Sequence, residues 1–517
     1  MGGMILKSAK LAGYLLGAAL LVLATGGNAS AREAELVVDA AQAGDGFVSF
    51  NNTAAIPGPA PGFPDFADVT PFWRLAGVDL VRTYDWPARL DTIDSPESLF
   101  PRWAADPTDP ASYNFAAVDA WIASTRAAGA RPVFTFMTNV PHNKLPAADV
   151  AKYGVVVEHI VRHLVEGWGG GVPRAVEYFD FGDQPDFGRL HFDGEPDQFY
   201  AMYEAFARAV KRVDPALKVG GPGLAFPLNE GSPYREPFLA WVRERNLPLD
   251  YFSYIWFSDA SGDPMDMTVV ANRMRDVLDR AGFGQTELFA ISWNYTGIPT
   301  ARFTPAEAAA FQAAATIYSQ EAPIDRAFIF RGDTGTDPHY EMTDPASIFA
   351  AAGDPGARGN SFIFAGQTMA GQRLLATGGD HRGLAIAASR DDAGQVVRVL
   401  IANYAASEAH LAPRASDVFT FTVPIGPSRT EMRFQQPPQR DDLRSQGFDS
   451  YRLTLNGLPW ASGDLRIDRY RIDAGNTGQL VDSRVVSAAS PVLEGPLGAP
   501  AVEYIEIRPV AAGQGGN

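Results

Sequence analysis

The segment VEYFDF (residues 176–181) is followed by PDQFYAMYEAFARAVKRV (residues 196–213) and then by KVGGP (residues 218–222). Aromatic and β-branched residues in the first segment, together with the short run that closes the series, predict two strands. The spacing of apolar residues in the long middle segment predicts an amphipathic helix. Pro196 suits the first turn of that helix, where a missing N–H costs no hydrogen bond. The three segments therefore predict a strand–helix–strand unit with parallel strands.

The same alternation extends in both directions from this unit. We predict strands at residues 47–50, 80–84, 132–137, 176–181, 218–222, 251–256, 288–293 and 326–330, and helices at residues 115–128, 150–165, 196–213, 235–245, 269–281 and 304–320. Eight such units over about 300 residues favour an α/β fold of the closed (β/α)8 TIM-barrel class, which we place at residues 46–350. The alternative is an open doubly wound sheet, but no glycine-rich phosphate motif follows the first strand.

Beyond the barrel the sequence pattern changes. From about Phe362 onward, alternating apolar segments at residues 384–388, 396–404, 418–423 and 501–507 predict strands, the first two of them paired. We therefore expect an all-β, sandwich-like domain over residues 362–510. Residues 32–45 carry no clear pattern, and we expect them to form a loose end.

The first 31 residues predict a signal peptide. Lys7 and Lys10 precede an apolar run at residues 11–24, and Ala29-Ser30-Ala31 forms a small-residue cleavage site. An uncleaved anchor is the alternative, although the run is short for a membrane span. We expect the mature chain to begin at Arg32 and to be periplasmic or secreted. No later segment is apolar enough to span a membrane, so we expect no membrane contact after cleavage.

Composition excludes several classes of function. The chain has 517 residues, with 43 Lys+Arg against 60 Asp+Glu and a net charge of −17, which disfavours nucleic-acid binding. It has no cysteine, so disulfides, thiolate metal sites and cysteine nucleophiles are excluded. His142, His159, His163 and His191 lack the spacing of a metal site, and we expect His159 and His163, four residues apart on one predicted helix, to be surface residues. No phosphate-binding loop is present, and we predict no metal and no cofactor.

Aromatic, amide and acidic residues follow several predicted strands. In a barrel of this kind the active site lies at the carboxyl ends of the strands. Aromatic rings stack on sugar C–H surfaces while amides and carboxylates bind hydroxyls, so we predict a carbohydrate cleft there. The alternative is that Trp256 and Trp293 are packing residues. The predicted substrate-binding residues are Tyr84, Asp85, Trp86, Trp256, Phe257, Trp293, Asn294 and Tyr295.

The sequence resembles glycoside hydrolase family 39, the β-xylosidase and α-L-iduronidase type with a clan A barrel. The resemblance covers roughly residues 46–480. It rests on residues 80–84, 113–115 with Asp119, 176–185, 209–222, 250–253, Trp293-Asn294, and 470–473 with Asn476. It implies a TIM barrel with a C-terminal β region. It also implies a retaining glycosidase, with a glutamate acid/base after the fourth strand and a glutamate nucleophile after the seventh.

The catalytic positions depart from that family pattern. Gln184 stands at the acid/base position and Ser292 at the nucleophile position. Tyr84 replaces a usual histidine, and Ile255 and Phe257 align with a usual histidine and tyrosine. A retaining glycosidase needs two carboxyl groups about 5 Å apart. Glutamine cannot supply a proton, and no base for Ser292 is evident in the sequence. We therefore predict that the standard retaining mechanism is lost.

Three hypotheses for function remain open. The first is a protein that binds a polysaccharide or oligosaccharide without turnover. The second is an active glycosidase with relocated groups, in which Asp183 is the best candidate acid and Tyr254 or Tyr295 a candidate nucleophile. Alternatively, two aspartates about 6.5–9.5 Å apart invert through a water. The third is a structural or assembly scaffold. Further acidic residues near predicted strand ends are Asp85, Asp180, Asp186, Asp259 and Asp333.

Overall fold

The computed structural model describes residues 32–55, 58, 67–83, 99–138, 144–189, 191–258, 261–296, 303–334, 346–391, 393–425, 428–460, 463–488 and 491–510. The predicted signal peptide at residues 1–31 lies outside this part of the chain, as do Tyr84, Asp85, Trp86 and Asp259. None of the helices within the described ranges is both long enough and apolar enough to cross a membrane.

Eight parallel strands close into a barrel, as the alternating pattern predicts. They are β2 (Ser49–Ala54), β3 (Leu80–Arg82), β4 (Arg131–Phe136), β5 (Tyr178–Phe181), β6 (Lys218–Leu224), β7 (Tyr251–Phe257), β8 (Glu287–Asn294) and β9 (Arg326–Phe330). Strand β2 pairs with both β3 and β9, which closes the ring. The predicted fold class, a TIM barrel with a C-terminal all-β domain, is confirmed.

Ten helices within the described ranges connect or flank the strands, and several of them have clear capping signals. In chain order they are α1 (Thr70–Ala76), α2 (Ala116–Ala127), α3 (Lys144–Ala148), α4 (Val150–Glu166), α5 (Pro196–Val213), α6 (Glu236–Glu244), α7 (Asp266–Ala281), α8 (Pro305–Tyr318), α9 (Gly356–Met369) and α10 (Glu408–Leu411). Thr304 and Glu307 form the capping box of α8, with Pro305 in its first turn. Helices α4 and α7 end at Gly167 and Gly282, both in the left-handed conformation that glycine adopts without strain.

The barrel interior is filled from its amino-terminal end by apolar and aromatic side chains. Alternation along β7 points Tyr251 and Ile255 inward, whereas Tyr254 and Trp256 pack outward against the helices. The rings of Tyr251 and Phe289 stack with centroids 4.2 Å apart. Because this end is a packed core, the space for chemistry lies at the carboxyl ends of the strands.

A bulge in β8 changes which side chains face the interior. Strand β7 pairs Tyr254 with Ala290 but the next residue, Ile255, with Ser292, so Ile291 is an extra residue on β8. Neighbouring residues in register share a face of the sheet. Ser292 is therefore in register with inward-facing Ile255, while Trp293 is in register with outward-facing Trp256.

The all-β domain is built on one nine-stranded sheet. Its strands are β1 (Glu33–Ala43), β10 (Gln372–Thr377), β11 (Leu384–Arg390), β12 (Val397–Asn403), β15 (Ser450–Asn456), β16 (Asp464–Ile472), β17 (Thr477–Ser487), β18 (Val492–Pro496) and β19 (Ala501–Pro509). Their order across the sheet is β17–β16–β19–β12–β11–β10–β1–β15–β18. Side chains from both ends of this order, including Leu465 and Leu493, meet in one core, so the sheet curves around it.

Two expectations for this domain are wrong. Residues 32–45 are not a loose end, because β1 lies inside the sheet, antiparallel to β10 and parallel to β15. Its burial alternates strictly from Ala34 to Ala40, a pattern that was present in the sequence. The change at Phe362 is also placed too early, because Phe362 lies inside α9 and the sheet resumes only at Gln372. Helices α8 and α9 lie between the barrel and this sheet.

A separate hairpin extends from the all-β domain. It consists of β13 (Val418–Ile425) and β14 (Ser428–Gln435), which pair only with each other. Asn229, in the loop after β6, donates from its side-chain amide to the carbonyl of Arg433 at 3.0 Å and accepts from the N–H of Gln435 at 2.7 Å. The hairpin is thus fixed against the carboxyl-terminal face of the barrel.

Candidate functional site

A buried arginine organises the polar part of the barrel at its carboxyl-terminal end. Arg82, the last residue of β3, is fully buried. Its Nη2 donates to Asp183 Oδ1 at 2.9 Å, and its Nε donates to Thr135 Oγ1 at 3.1 Å. Its Nε also lies 3.7 Å from Oδ2 of Asp180, on β5. One cation therefore bridges two buried carboxyl groups.

The pKa values of the two carboxyl groups are shifted in opposite directions. Burial by itself would raise the pKa of Asp183, but Arg82 and His191 outweigh it and hold that pKa at about 2. For Asp180 burial prevails over Arg82 and the Ser253 hydroxyl, and its pKa rises to about 6. Asp183 is therefore ionised at neutral pH and has no proton to give. Our choice of Asp183 as the replacement acid is not supported by this geometry.

His191 completes this cluster. Its Nδ1 lies 3.4 Å from Asp183 Oδ2, and about 20% of its side chain is exposed. Nε2 of Gln184 also donates to Asp183 Oδ2, at 3.4 Å. One carboxylate oxygen thus faces both the imidazole and the amide, and Arg82 holds the other. His191 lies in the loop that follows β5, at the barrel mouth.

The loop after β5 has an unusual and well-fixed backbone. Gln184 has φ of 55°, a left-handed conformation that a side chain with a Cβ disfavours. Its N–H donates to the carbonyl of Gly223 at 2.8 Å. Asp186 accepts two backbone N–H groups from the loop after β6, at 2.8 Å each. Strained residues that the surroundings hold in place are concentrated at functional sites, and this one carries the predicted acid/base position.

Ser292, the other predicted catalytic position, is 2% exposed near the carboxyl end of β8. The bulge at Ile291 brings it into register with the inward-facing residues. Its hydroxyl would need an adjacent base to act as a nucleophile. Among the hydrogen bonds of the described residues, none joins Ser292 to a histidine or a carboxylate.

Most of the predicted aromatic rim is buried in the structure. Trp256, Trp293 and Tyr295 are 3%, 2% and 5% exposed and belong to the core between barrel and helices. Strand alternation and the β8 bulge turn both indoles outward, where burying their large apolar area stabilises the fold. Asn294 is also buried, and its amide donates to the carbonyls of Phe330 and Ala346. Of these five predicted residues, Phe257 alone is half-buried and packs inward, against Phe330.

Asp333 and His163 are both held by side-chain partners. Asp333, after β9, accepts from Arg331 Nε at 3.0 Å and from the Ser347 hydroxyl at 3.2 Å. His163 is 1% exposed rather than on the surface, with Nε2 2.8 Å from Asp119 and its ring stacked on Phe115. The described residues contain no group of three or more side chains that could hold a metal ion.

Aromatic rings connect the hairpin to this loop. Phe434 of β14 stacks on Phe226 with centroids 5.4 Å apart, and Phe226 stacks on Phe187 at 5.5 Å. Phe187 in turn meets the His191 ring edge-on at 5.2 Å. The all-β domain therefore contributes to the environment of the site. The sequence patterns of the two domains did not predict this contact.

Sequence reasoning missed Arg82 and His191 as site residues. Arg82 stands in a run of strand-forming residues, and a charged residue there is a signal for a buried partner. His191 carried no such signal, because its partner Asp183 is set by the path of the loop. Both residues are recognised from what surrounds them in three dimensions.

Comparison with known proteins agrees with this architecture. The family model for glycosyl hydrolases family 39 matches residues 103–292. A β-xylosidase from Geobacillus stearothermophilus is 26% identical over 267 residues, which are 46% of this chain and 51% of that protein. The chain thus matches about half the length of this curated relative.

Two solved structures cover nearly the whole chain. A glucosidase from Croceicoccus marinus is 51% identical with a TM-score of 0.87, over 93% of this chain and all of that one. A monomeric β-xylosidase from Caulobacter crescentus has a TM-score of 0.63 at 15% identity, over 92% of this chain and all of that one. The second likeness, at this identity, is one of fold.

Proposed function

This chain belongs to glycosyl hydrolase family 39, and from that premise we propose that the mouth of its barrel binds a glycan but does not cleave it through a pair of glutamates. The single observation that carries the proposal is the environment of Gln184. This residue begins the 3-10 turn after β5, where the family pattern has its proton donor, and its amide contacts the ionised carboxylate of Asp183. An amide in this place can bind a hydroxyl but cannot donate a proton to a leaving group.

The other carboxyl groups described near the mouth support this proposal. Asp183 is paired with Arg82, Asp333 with Arg331, and Asp186 with two backbone N–H groups. Asp180 lies beneath them, fully buried. A retaining glycosidase needs one carboxyl group that carries a proton and a second that is free to attack. These four carboxyl groups are engaged in holding the site rather than free to do either.

The relatives suggest the class of ligand. The solved relative at 51% identity is described as a glucosidase, and the curated relative as a β-xylosidase. We propose a neutral, β-linked gluco- or xylo-oligosaccharide as the ligand, bound through hydroxyl groups to the Gln184 amide and the His191 ring. Export through the N-terminal 31 residues belongs to the same proposal, because a periplasmic or secreted protein meets such glycans.

Calorimetric titration of the chain with cellotetraose, xylotetraose and an oligouronate tests the proposal. We expect binding of one neutral oligosaccharide in the micromolar to millimolar range. Gln184→Ala should weaken it about tenfold, the loss of roughly one hydrogen bond in a polar site. The control is Gln285→Ala, an exposed glutamine that precedes β8 at the opposite end of the barrel. Absence of binding to every neutral glycan would favour the scaffold hypothesis instead.

A second candidate is an active glycosidase with relocated groups. The observation in its favour is the contact between His191 and Asp183, which supplies a titratable group beside Gln184.

A further inference from the structure

We propose that His191 is the proton-transfer residue of this site, with Asp183 as the residue that positions it. The inference rests on the glycan binding proposed above and adds an activity to it. In this assignment the imidazole protonates the leaving oxygen of a glycosidic bond, which Gln184 cannot do. Asp183 acts through His191 and does not itself exchange a proton with the substrate.

His191 lies next to the family's acid/base position. Oδ2 of Asp183 lies 3.4 Å from His191 Nδ1 and 3.4 Å from Gln184 Nε2. The imidazole and the amide at the family's acid/base position therefore both lie close to the same carboxylate oxygen. Nδ1 is itself buried, so the exposed fifth of the side chain lies elsewhere on the ring. A glycan bound at Gln184 would meet the ring from that exposed part.

Asp183 presents a negative charge to the His191 ring. Arg82 is fully buried and holds Asp183 through Oδ1, which leaves Oδ2 to face His191. An ionised carboxylate behind an imidazole favours the tautomer with Nδ1–H toward the carboxylate. The exchangeable proton for a substrate is then the one on Nε2. The charged groups that act on this ring among the described residues are Asp183 and Asp186, with Arg82 behind Asp183.

The His191 ring and its loop are held in place by their neighbours. The His191 ring meets Phe187 at 5.2 Å, and Phe187 is stacked in the series that continues through Phe226 to Phe434 of the hairpin. Two backbone N–H groups of the loop after β6 hold Asp186, next to Phe187. A catalytic group works only if its supports keep it in place. His191 has such supports from the barrel and from the all-β domain.

The step balances with water as the co-reactant. The bond between the anomeric carbon and the glycosidic oxygen breaks, and its electron pair stays on that oxygen. The oxygen takes the Nε2 proton of the imidazolium. Water forms the new bond to the anomeric carbon, and the proton that it loses returns to the neutral imidazole. The sum is hydrolysis of one glycosidic bond, with His191 restored and no carboxylate nucleophile required.

The test compares two substrates and two matched variants. Cellotetraose needs protonation of its leaving sugar, whereas 4-nitrophenyl β-glucoside has a leaving group that departs without it. His191→Asn keeps an amide that can contact Asp183, and His381→Asn is the control at an exposed histidine far along the chain. We expect His191→Asn to slow cellotetraose cleavage at least 100-fold, the usual contribution of a general acid. Cleavage of the nitrophenyl glucoside should fall less than tenfold, and His381→Asn should change neither.

The separate effects on kcat and KM identify the positioning role of Asp183. Without a carboxylate oxygen beside Nδ1, the ring loses the contact that orients Nε2, so Asp183→Asn should lower kcat for cellotetraose at least tenfold while KM changes less than twofold. A merely structural role would lower kcat for cellotetraose and for the nitrophenyl glucoside equally.

The outcomes separate this inference from the proposed function. Cleavage that survives His191→Asn, or an equal loss on both substrates, overturns the role of His191. Calorimetric binding of cellotetraose without any cleavage by the unaltered protein overturns the inference and leaves the proposed glycan binding intact. Neither binding nor cleavage overturns both.

Discussion

Two pairs of buried aspartates, each three residues apart in sequence, lie in connections of the same barrel and behave differently. Asp180 and Asp183 lie on β5 and just after it, with the Arg82 guanidinium against both carboxyl groups. Asp263 and Asp266 lie just before α7 and at its first residue, and Arg440 of the all-β domain reaches Asp263 at 3.3 Å. Asp266 accepts instead from the hydroxyl of Ser261.

The protonation of the two pairs follows from these partners. In the first pair, Asp183 has a pKa held at about 2 against its burial, by Arg82 and His191. In the second pair, burial and then the charge of Asp263 raise the pKa of Asp266 to about 7. Burial also raises the pKa of Asp263. With equal spacing and similar burial, the pKa values of Asp183 and Asp266 are thus shifted in opposite directions, because the fold brings a buried cation to one pair and a partly exposed one to a single member of the other.

Loss of Arg82 should have the largest effect. Arg82→Met leaves two buried carboxyl groups without their cation, and we expect about 3–5 kcal/mol lower free energy of unfolding in urea at pH 7. Arg131→Met is the matched control. It removes an ion pair with Asp79 whose side chains are both more than 40% exposed, and should cost less than about 1 kcal/mol. Equal losses in the two variants would contradict the central role of Arg82.

The pH dependence of stability should differ in sign between Asp183 and Asp266. Asp266 keeps its proton to about pH 7 in the folded state but loses it near pH 4 when unfolded, so its contribution is complete below pH 4 and is lost as pH rises to 7. Asp180 acts in the same direction up to about pH 6. The lowered pKa of Asp183 stabilises above pH 4, and this contribution is lost as pH falls toward 2.

Asp266→Asn makes this difference measurable. The substitution should remove a fall in unfolding free energy of about 4 kcal/mol between pH 4 and pH 8. Asp183→Asn should leave that fall in place and should instead remove a loss of stability below pH 4. Urea unfolding of the unaltered chain and both variants at intervals of one pH unit gives the answer. Parallel curves for all three proteins would refute the assignment.

The smallest effect concerns the hairpin of β13 and β14. Its Phe434 stacks on Phe226, which stacks on Phe187 beside His191, the neighbour of Asp183. Phe434→Ala removes a half-buried ring that stacks on Phe226, and we expect a loss of about 1 kcal/mol in stability. Glycan affinity should fall a few-fold, because Phe187 and His191 lose their outer support. Leu480→Ala, on exposed β17, is the control and should change neither quantity. Unchanged glycan affinity in Phe434→Ala would show that the hairpin does not act on the site.

Much of the barrel follows from local patterns. The predicted strands at residues 218–222, 251–256 and 326–330 agree closely with β6, β7 and β9, and the helix at residues 196–213 agrees with α5 at both ends. These elements were predictable because hydrophobic periodicity and capping are properties of neighbours in sequence. Strand β1 was missed although its burial alternates, because its partners β10 and β15 lie hundreds of residues away.

The site was predictable in place but not in composition. The carboxyl ends of the strands and the loop at Gln184 follow from the fold class. The orientation of Trp293 does not, because a single extra residue at Ile291 shifts the alternation of β8. The character of Asp183 does not either, because Arg82 and His191 set its protonation from other parts of the chain.

The sequence by itself determined the alternation of strands and helices that closes the barrel, the β character of the C-terminal part, and the absence of a carboxyl group at residues 184 and 292. Tertiary structure alone decided which aromatic rings became core, where β1 pairs, and which aspartates carry charge. The physical reason is range. Periodicity and residue identity are local, whereas burial, register and the electrostatic field at a carboxyl group are set by side chains that only folding brings together.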